Sequence, residues 1–283
     1  MYQPRTISLS FQDPRFKSQL IVCRIPVAIR WTLPAFTFVT ILLLGQVHGI
    51  AEEPKGETTS PIRALIVTGD QHPAHDWKKT TQALQEVLST DERFTVRVLE
   101  HPELLPREIG KVDVIVLNYM PSARPDPGEQ MHSALQRMID GGTGLVLIHF
   151  ANGAFVDWPE YRGKISRRNW VDQSGHDPYQ EFEVVLRDTS HPVTQGLSSY
   201  RTTDELYYRQ EGMEPIHVLA VGHSVVTDQE EPLAFVYQYG QGRMFQTLLG
   251  HNAASIRNSG TAELIRRGTA WTANRSPVVE EEH

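Results

Sequence analysis

The chain has 283 residues, 27 basic against 34 acidic side chains for a net charge of −7, and a single cysteine. That length allows one large domain or two small ones, either able to bury a real core. The acidic balance argues against nucleic acid as a partner, and neither a Walker loop nor a GxGxxG loop is present to cradle phosphates.

Residues 1–51 read as a leader. Arg5, Arg15, Lys17, Arg24 and Arg30 precede the uncharged run "WTLPAFTFVTILLL" at 31–44, and Gly49 and Ala51 give a small-x-small cleavage site. This is the pattern of a secretory signal peptide, so an exported protein, periplasmic or secreted, is expected. At about 14 residues the run is short for a membrane span of roughly 20, which makes an uncleaved anchor the second reading. Cys23 lies ahead of the apolar run, the wrong side for a lipoprotein. That leader holds five basic residues and one acid, so the remainder carries 22 basic and 33 acidic side chains, net −11, and no cysteine. Disulfides and thiol nucleophiles are then excluded from the mature chain.

The polar stretch 52–61 reads as a flexible lead-in, and "IRALIVTGD" (62–70) as a buried strand ending in glycine. From Asp76 to Leu88, Trp77, Thr81, Leu84, Val87 and Leu88 recur at helical spacing, with Asp76 placed to cap the helix. "FTVRVLE" (94–100) alternates as a strand does, and "VDVIVLNY" (112–119) reads as another buried one. Pro127 to Asp140 reads as a helix that Gly141 and Gly142 terminate. "GTGLVLIHFANG" (142–153) is a fourth strand that stops abruptly at His149. "EFEVVLRD" (181–188) and "IHVLAVG" (216–222) follow as strands, then "LAFVYQY" and "RMFQTLLG" as a hairpin turning at 240–242. Ser259 to Ala273 supplies a closing helix, and 275–283 an acidic tail expected to be disordered.

Apolar strands alternating with helices predict one α/β domain over 62–274, a three-layer sandwich whose mostly parallel sheet carries an added antiparallel hairpin. In such sheets ligands sit beyond the carboxyl ends of the strands. Four strand ends carry polar or imidazole groups: Asp70 with His72 and His75, Asn118 with Tyr119, His149 with Asn152, and His251. His149 is the leading candidate for a general base, since an imidazole titrates near neutral pH. His75 is preferred to His72, and His251 follows a glycine that permits close backbone approach. Against this stand ordinary roles: a core histidine bonded to a carbonyl, a solvated loop, a helix cap. The aromatics Trp158, Tyr161, Trp170 and Tyr179 could line a sugar cleft, Trp158 being the one retained as a candidate contact; for most of them loop packing competes.

The segments "GDQHPAHDW", "GTGLVLIHFANGAF", "WPEY", "SGHDPYQEFEV", "DTSHPVTQGL", "DELYY" and "YGQGRMFQTLLGH" run in order from about 68 to 251. Together they make the chain resemble the ThuA-like (trehalose-utilisation) family, whose fold belongs to the class I glutamine amidotransferase-like, flavodoxin-like group. The resemblance implies that His149 occupies the place of the amidotransferase cysteine, so glutaminase chemistry is lost. It also implies His176, and Glu205 with Tyr207, near the crevice. A sugar ligand is implied, a glycoside or its keto form, but no reaction; the set of histidines, with the family's pathway setting, points to acid/base chemistry by isomerisation, elimination or hydrolysis, and the rival reading is a non-catalytic sugar-binding module. No cofactor is expected. A divalent metal held by His149, His75, His176 and His251 with a carboxylate is the lesser alternative, since nothing like HExxH specifies one. Oligomeric state is left open.

Overall fold

The computed structural model describes residues 60–278. The expected leader, most of the lead-in and the end of the acidic tail lie outside them. Among the described residues no helix is long and apolar enough to cross a membrane.

Four short strands form first: β1 (Ile62–Val67), β2 (Phe94–Leu99), β3 (Val114–Leu117) and β4 (Gly144–Ile148). Between them lie α1 (Trp77–Ser89) and α2 (Glu129–Asp140). Asp76 caps α1 by accepting the Lys79 amide, as its position predicts. Later come β5 (Gly175–His176), β6 (Gln180–Leu186), β7 (Tyr200–Asp204) and β8 (Tyr207–Tyr208). The long strands β9 (His217–Ser224), β10 (Gln229–Tyr239) and β11 (Gly242–Thr247) lead into α3 (Ala253–Arg257) and α4 (Ser259–Thr272).

Nine strands form one sheet in the order β2-β1-β3-β4-β11-β10-β9-β6-β7, while β5 and β8 pair separately. The first five run parallel, and the other four extend the sheet antiparallel from the β10–β11 hairpin. The antiparallel wing is therefore wider than one hairpin. Because side chains alternate along a strand, β1 sends Ile62, Ala64 and Ile66 to one face and Leu65 and Val67 to the other. The first set packs with Leu84 and Leu88 of α1 and Leu264 and Ile265 of α4. The second packs with Leu135 and Met138 of α2. A sheet buried on both faces is what the unbroken apolar strands require, and it gives the three layers.

Chain order reverses between β1 and β3, which makes their junction the topological switch point. Since β1, β3, β4 and β11 are parallel, their carboxyl ends open on one rim, with β4 and β11 side by side. The start of the expected tail is held to the body instead of disordered: Arg275 donates its amide to Ala270, and the Ser276 carbonyl accepts from Arg93.

Candidate functional site

On that rim lies a cavity of about 190 Å³, lined by His72, His75, Phe150, Trp170, His176, Glu205 and Tyr207 among others. Each reaches it through a local feature of the chain. His72 and His75 sit on a tight loop after β1, closed by an amide–carbonyl bond between them. Glu205 comes from the turn after β7, and Tyr207 opens β8. Trp170 crosses edge-on to Tyr207 with ring centres 4.6 Å apart, so the two form one aromatic wall.

His149 ends β4 in a backbone conformation that side chains seldom adopt, φ 43°. It opens a short 3-10 turn, His149–Gly153, and is fully buried. Its Nδ1 lies 2.7 Å from the Leu248 carbonyl. A carbonyl only accepts, so Nδ1 carries a proton, and Nε2 faces Glu205 Oε2 at 3.6 Å. A sharp turn therefore follows β4 directly. Its imidazole does not line the cavity, however; it supports the floor from beneath Glu205.

His251 supports the same floor. Gly250 has φ 114°, a value that suits glycine, and a Cβ there would press on Ile148 and Ile256 at 3.2 and 3.3 Å. Asp204, wholly buried, accepts the amides of Gly250 and His251 at 2.7 and 3.1 Å and so fixes this corner. Adjacent residues at the end of β7 thus divide as extended chain requires: Asp204, its last residue, turns inward to hold the loop, and Glu205, just beyond it, turns to the cavity.

Glu205 is the hub. Its carboxylate lies 3.0 Å from His251 Nδ1, 3.6 Å from His149 Nε2 and 3.7 Å from His176 Nδ1. Burial alone raises a carboxyl's pKa, yet the flanking imidazoles of His149 and His251 hold Glu205 well below the usual carboxylate range. Burial works against charge on His251, and Glu205 outweighs it, so His251 is raised. His75 goes the other way: burial, then the neighbouring imidazoles, push it down to about 3. Its Nδ1 faces the His251 carbonyl at 3.4 Å, and its ring packs flat on Phe150. Ligand atoms of His75, His149 and His251 all lie within 4.8 Å of one another, close enough to be considered for a metal.

His75, Asn152, His176, Glu205 and Tyr207 line the cavity, with His149 and His251 directly behind. Three expected contacts are placed elsewhere. Asp70 accepts the amides of Ser122, Ala123 and Arg124, anchoring the loop after β3. Asn118 is buried and donates to Thr80 and Thr81 of α1. Trp158 stacks on His132 at 4.3 Å, away from the cavity. In their place His72, Phe150, Met120 and Trp170 line it. Of these, His72 and Trp170 were already candidates in the sequence, Phe150 carried a signal because it follows His149 directly, and Met120 carried none.

The trehalose-utilisation (ThuA) family model matches residues 63–272. Among solved structures, a ThuA-like protein from Parabacteroides merdae is 27% identical, with 77% of this chain and 92% of that one covered and a TM-score of 0.65. A ThuA-like protein from Bacteroides uniformis is 17% identical, with 79% and 98% covered and a TM-score of 0.59. The β-galactosidase of Bacillus circulans shares the fold at 13% identity and a TM-score of 0.52, with 80% of this chain but 33% of that one covered. No protein of curated function matches at a significant level.

Proposed function

The chain belongs to the ThuA-like, trehalose-utilisation family, and from that premise we propose that it is an enzyme acting on a glycoside or keto-glycoside in carbohydrate catabolism. The observation that carries the reading is Glu205: an ionised carboxylate on the floor of an aromatic-walled cavity, with three imidazoles within 3.7 Å. Sugars stack their apolar faces on rings such as Trp170 and Tyr207, and Asn152 and His176 offer hydrogen bonds to hydroxyls.

Glu205 takes the proton from the carbon beside a keto group. His176, half-exposed at the cavity edge, returns a proton to the departing glycosidic oxygen. The C–H electrons form the new double bond and the C–O bond breaks, which is β-elimination; addition of water completes a net hydrolysis. His149 and His251 keep Glu205 ionised and aimed. This moves the general-base role from His149, which is enclosed, to the carboxylate it supports. The basic leader and apolar run over 1–51 favour export, and the acidic surface favours an uncharged partner over nucleic acid.

Proton NMR of the purified protein mixed with 3-keto-trehalose and, separately, trehalose tests the reading. New sugar resonances with either compound support an enzyme. Line broadening without product supports the rival, a sugar-binding module. Silence from both contradicts a trehalose-type ligand.

A further inference from the structure

We propose that His75, His149 and His251 form a three-histidine site for one divalent transition-metal ion of the zinc class, with Glu205 beside it. The inference rests on reading this pocket floor as the reacting centre, and it names what the imidazoles are for.

Two buried nitrogens lack a hydrogen bond that satisfies them, His149 Nε2 and His251 Nδ1. Both face one carboxylate oxygen, Glu205 Oε2, at 3.6 and 3.0 Å. With Nδ1 of His149 donating to Leu248, Nε2 of the neutral ring is an acceptor pointed at an acceptor. Such a pair is relieved only by a cation, either a proton on Nε2 or a metal ion beside it. His75 adds a third donor; its Nδ1 faces the His251 carbonyl, which leaves Nε2 as its ligand atom.

The supporting bonds are those a metal site uses. Ligating histidines characteristically donate their other ring N–H to a carbonyl, fixing tautomer and orientation, and His149 and His75 both do so. Donors on an ion with bonds of about 2.0–2.1 Å stand roughly 3.3–3.4 Å apart in a tetrahedron. The three imidazole donors lie within 4.8 Å of one another. Neutral imidazoles select zinc and its neighbours over magnesium or calcium. Three protein ligands leave an open position, the pattern of a catalytic site. The ion would polarise a substrate oxygen while Glu205, which is not needed as a ligand, moves the proton.

The test is metal binding with no sugar present. The protein is stripped with chelator and titrated with zinc chloride against a competing indicator; cobalt(II) is added separately and its visible bands recorded. The expected result is about one ion per chain, cobalt bands of a low-coordinate site, and affinity weakened by roughly tenfold or more in His75→Gln and His251→Gln. Circular dichroism checks that both variants are folded, and His191→Gln, outside the pocket, binds as wild type. Less than a tenth of an ion per chain, or zinc binding that survives both pocket substitutions, overturns the proposal. Turnover that persists after stripping overturns the metal site while leaving the sugar chemistry intact. A loaded protein that turns over no sugar does the reverse.

Discussion

His75 and His251 have ring centres 4.9 Å apart and are shifted in opposite directions. His75 is pushed down to about 3, so the unfolded chain takes up its proton more readily than the folded one. Its stabilising contribution is therefore complete above its unfolded value of about 6.5 and is lost as pH falls towards about 3. His251, raised by Glu205, contributes below about 6.5 and loses that contribution as pH rises through its folded value. In chelator, where only protons bind, unfolding free energy should fall on acidification through the His75 window. The slope is at most about 1.4 kcal/mol per pH unit for one proton. His75→Gln should flatten it, as read by urea denaturation across that range. An unchanged slope would remove His75 from the acid response. This residue-level chemistry was half legible in the sequence. Histidine at a strand end signals a site, but Asp70 and Asn118 gave the same signal and proved to be loop and helix anchors. A polar side chain at a strand end looks alike whether it meets a ligand or a backbone amide, and only the fold says which.

At the scale of elements, the corner after β11 decides where His251 points. Gly250 holds φ 114° against Ile148 and Ile256, and Asp204 of β7 clamps the amides on either side of its peptide link. Gly250→Ala should cost about 1–3 kcal/mol of backbone strain and lower zinc affinity in step, because the His251 ring is displaced. Denaturant unfolding and zinc titration of the same variant check both; full stability with wild-type affinity would contradict the clamp. The strands β1 to β4 were legible because two buried faces impose unbroken apolar runs. The strand β7 was not: it reads "YRTTD", and its buried positions include Thr202 and Asp204. Asp204 is inside only because a distant loop donates to it, a tertiary cause with no local pattern. Trp158 illustrates the converse. It looked like a sugar platform by type and position, and it stacks on His132 of α2 because the chain after the His149–Gly153 turn carries it past the cavity.

At the scale of the whole molecule, the site depends on parallel strands opening at one rim, and the closing helix holds that arrangement. Asp91, 4% exposed, pairs with Arg93 at 2.8 Å and with Arg266 of α4 at 2.9 Å, joining the start of β2 to the last helix. Asp91→Ala removes one carboxylate from two arginines, while Arg266 keeps Glu263 and Arg93 keeps the Ser276 carbonyl, and it should destabilise the fold by about 1–3 kcal/mol. Turnover per folded molecule should be unchanged, because no member of this network borders the cavity. A normal midpoint in guanidinium would show that the network contributes little. The layer architecture and the rim were legible from the order and apolarity of the elements. The partition of the rim into cavity lining and buried support was not, since it depends on β8 and the loop at 166–176 folding back over the strand ends.

The most direct test is Glu205→Gln, assayed for turnover of 3-keto-trehalose beside wild type, with sugar affinity measured by calorimetry. The substitution keeps the shape of the side chain and removes its charge and its basicity. The expected rate is lower by about 10²–10⁴-fold, with affinity within a few-fold of wild type. A variant that turns over the sugar at the wild-type rate would contradict it, and would move the chemistry away from the one carboxylate the fold surrounds with imidazoles.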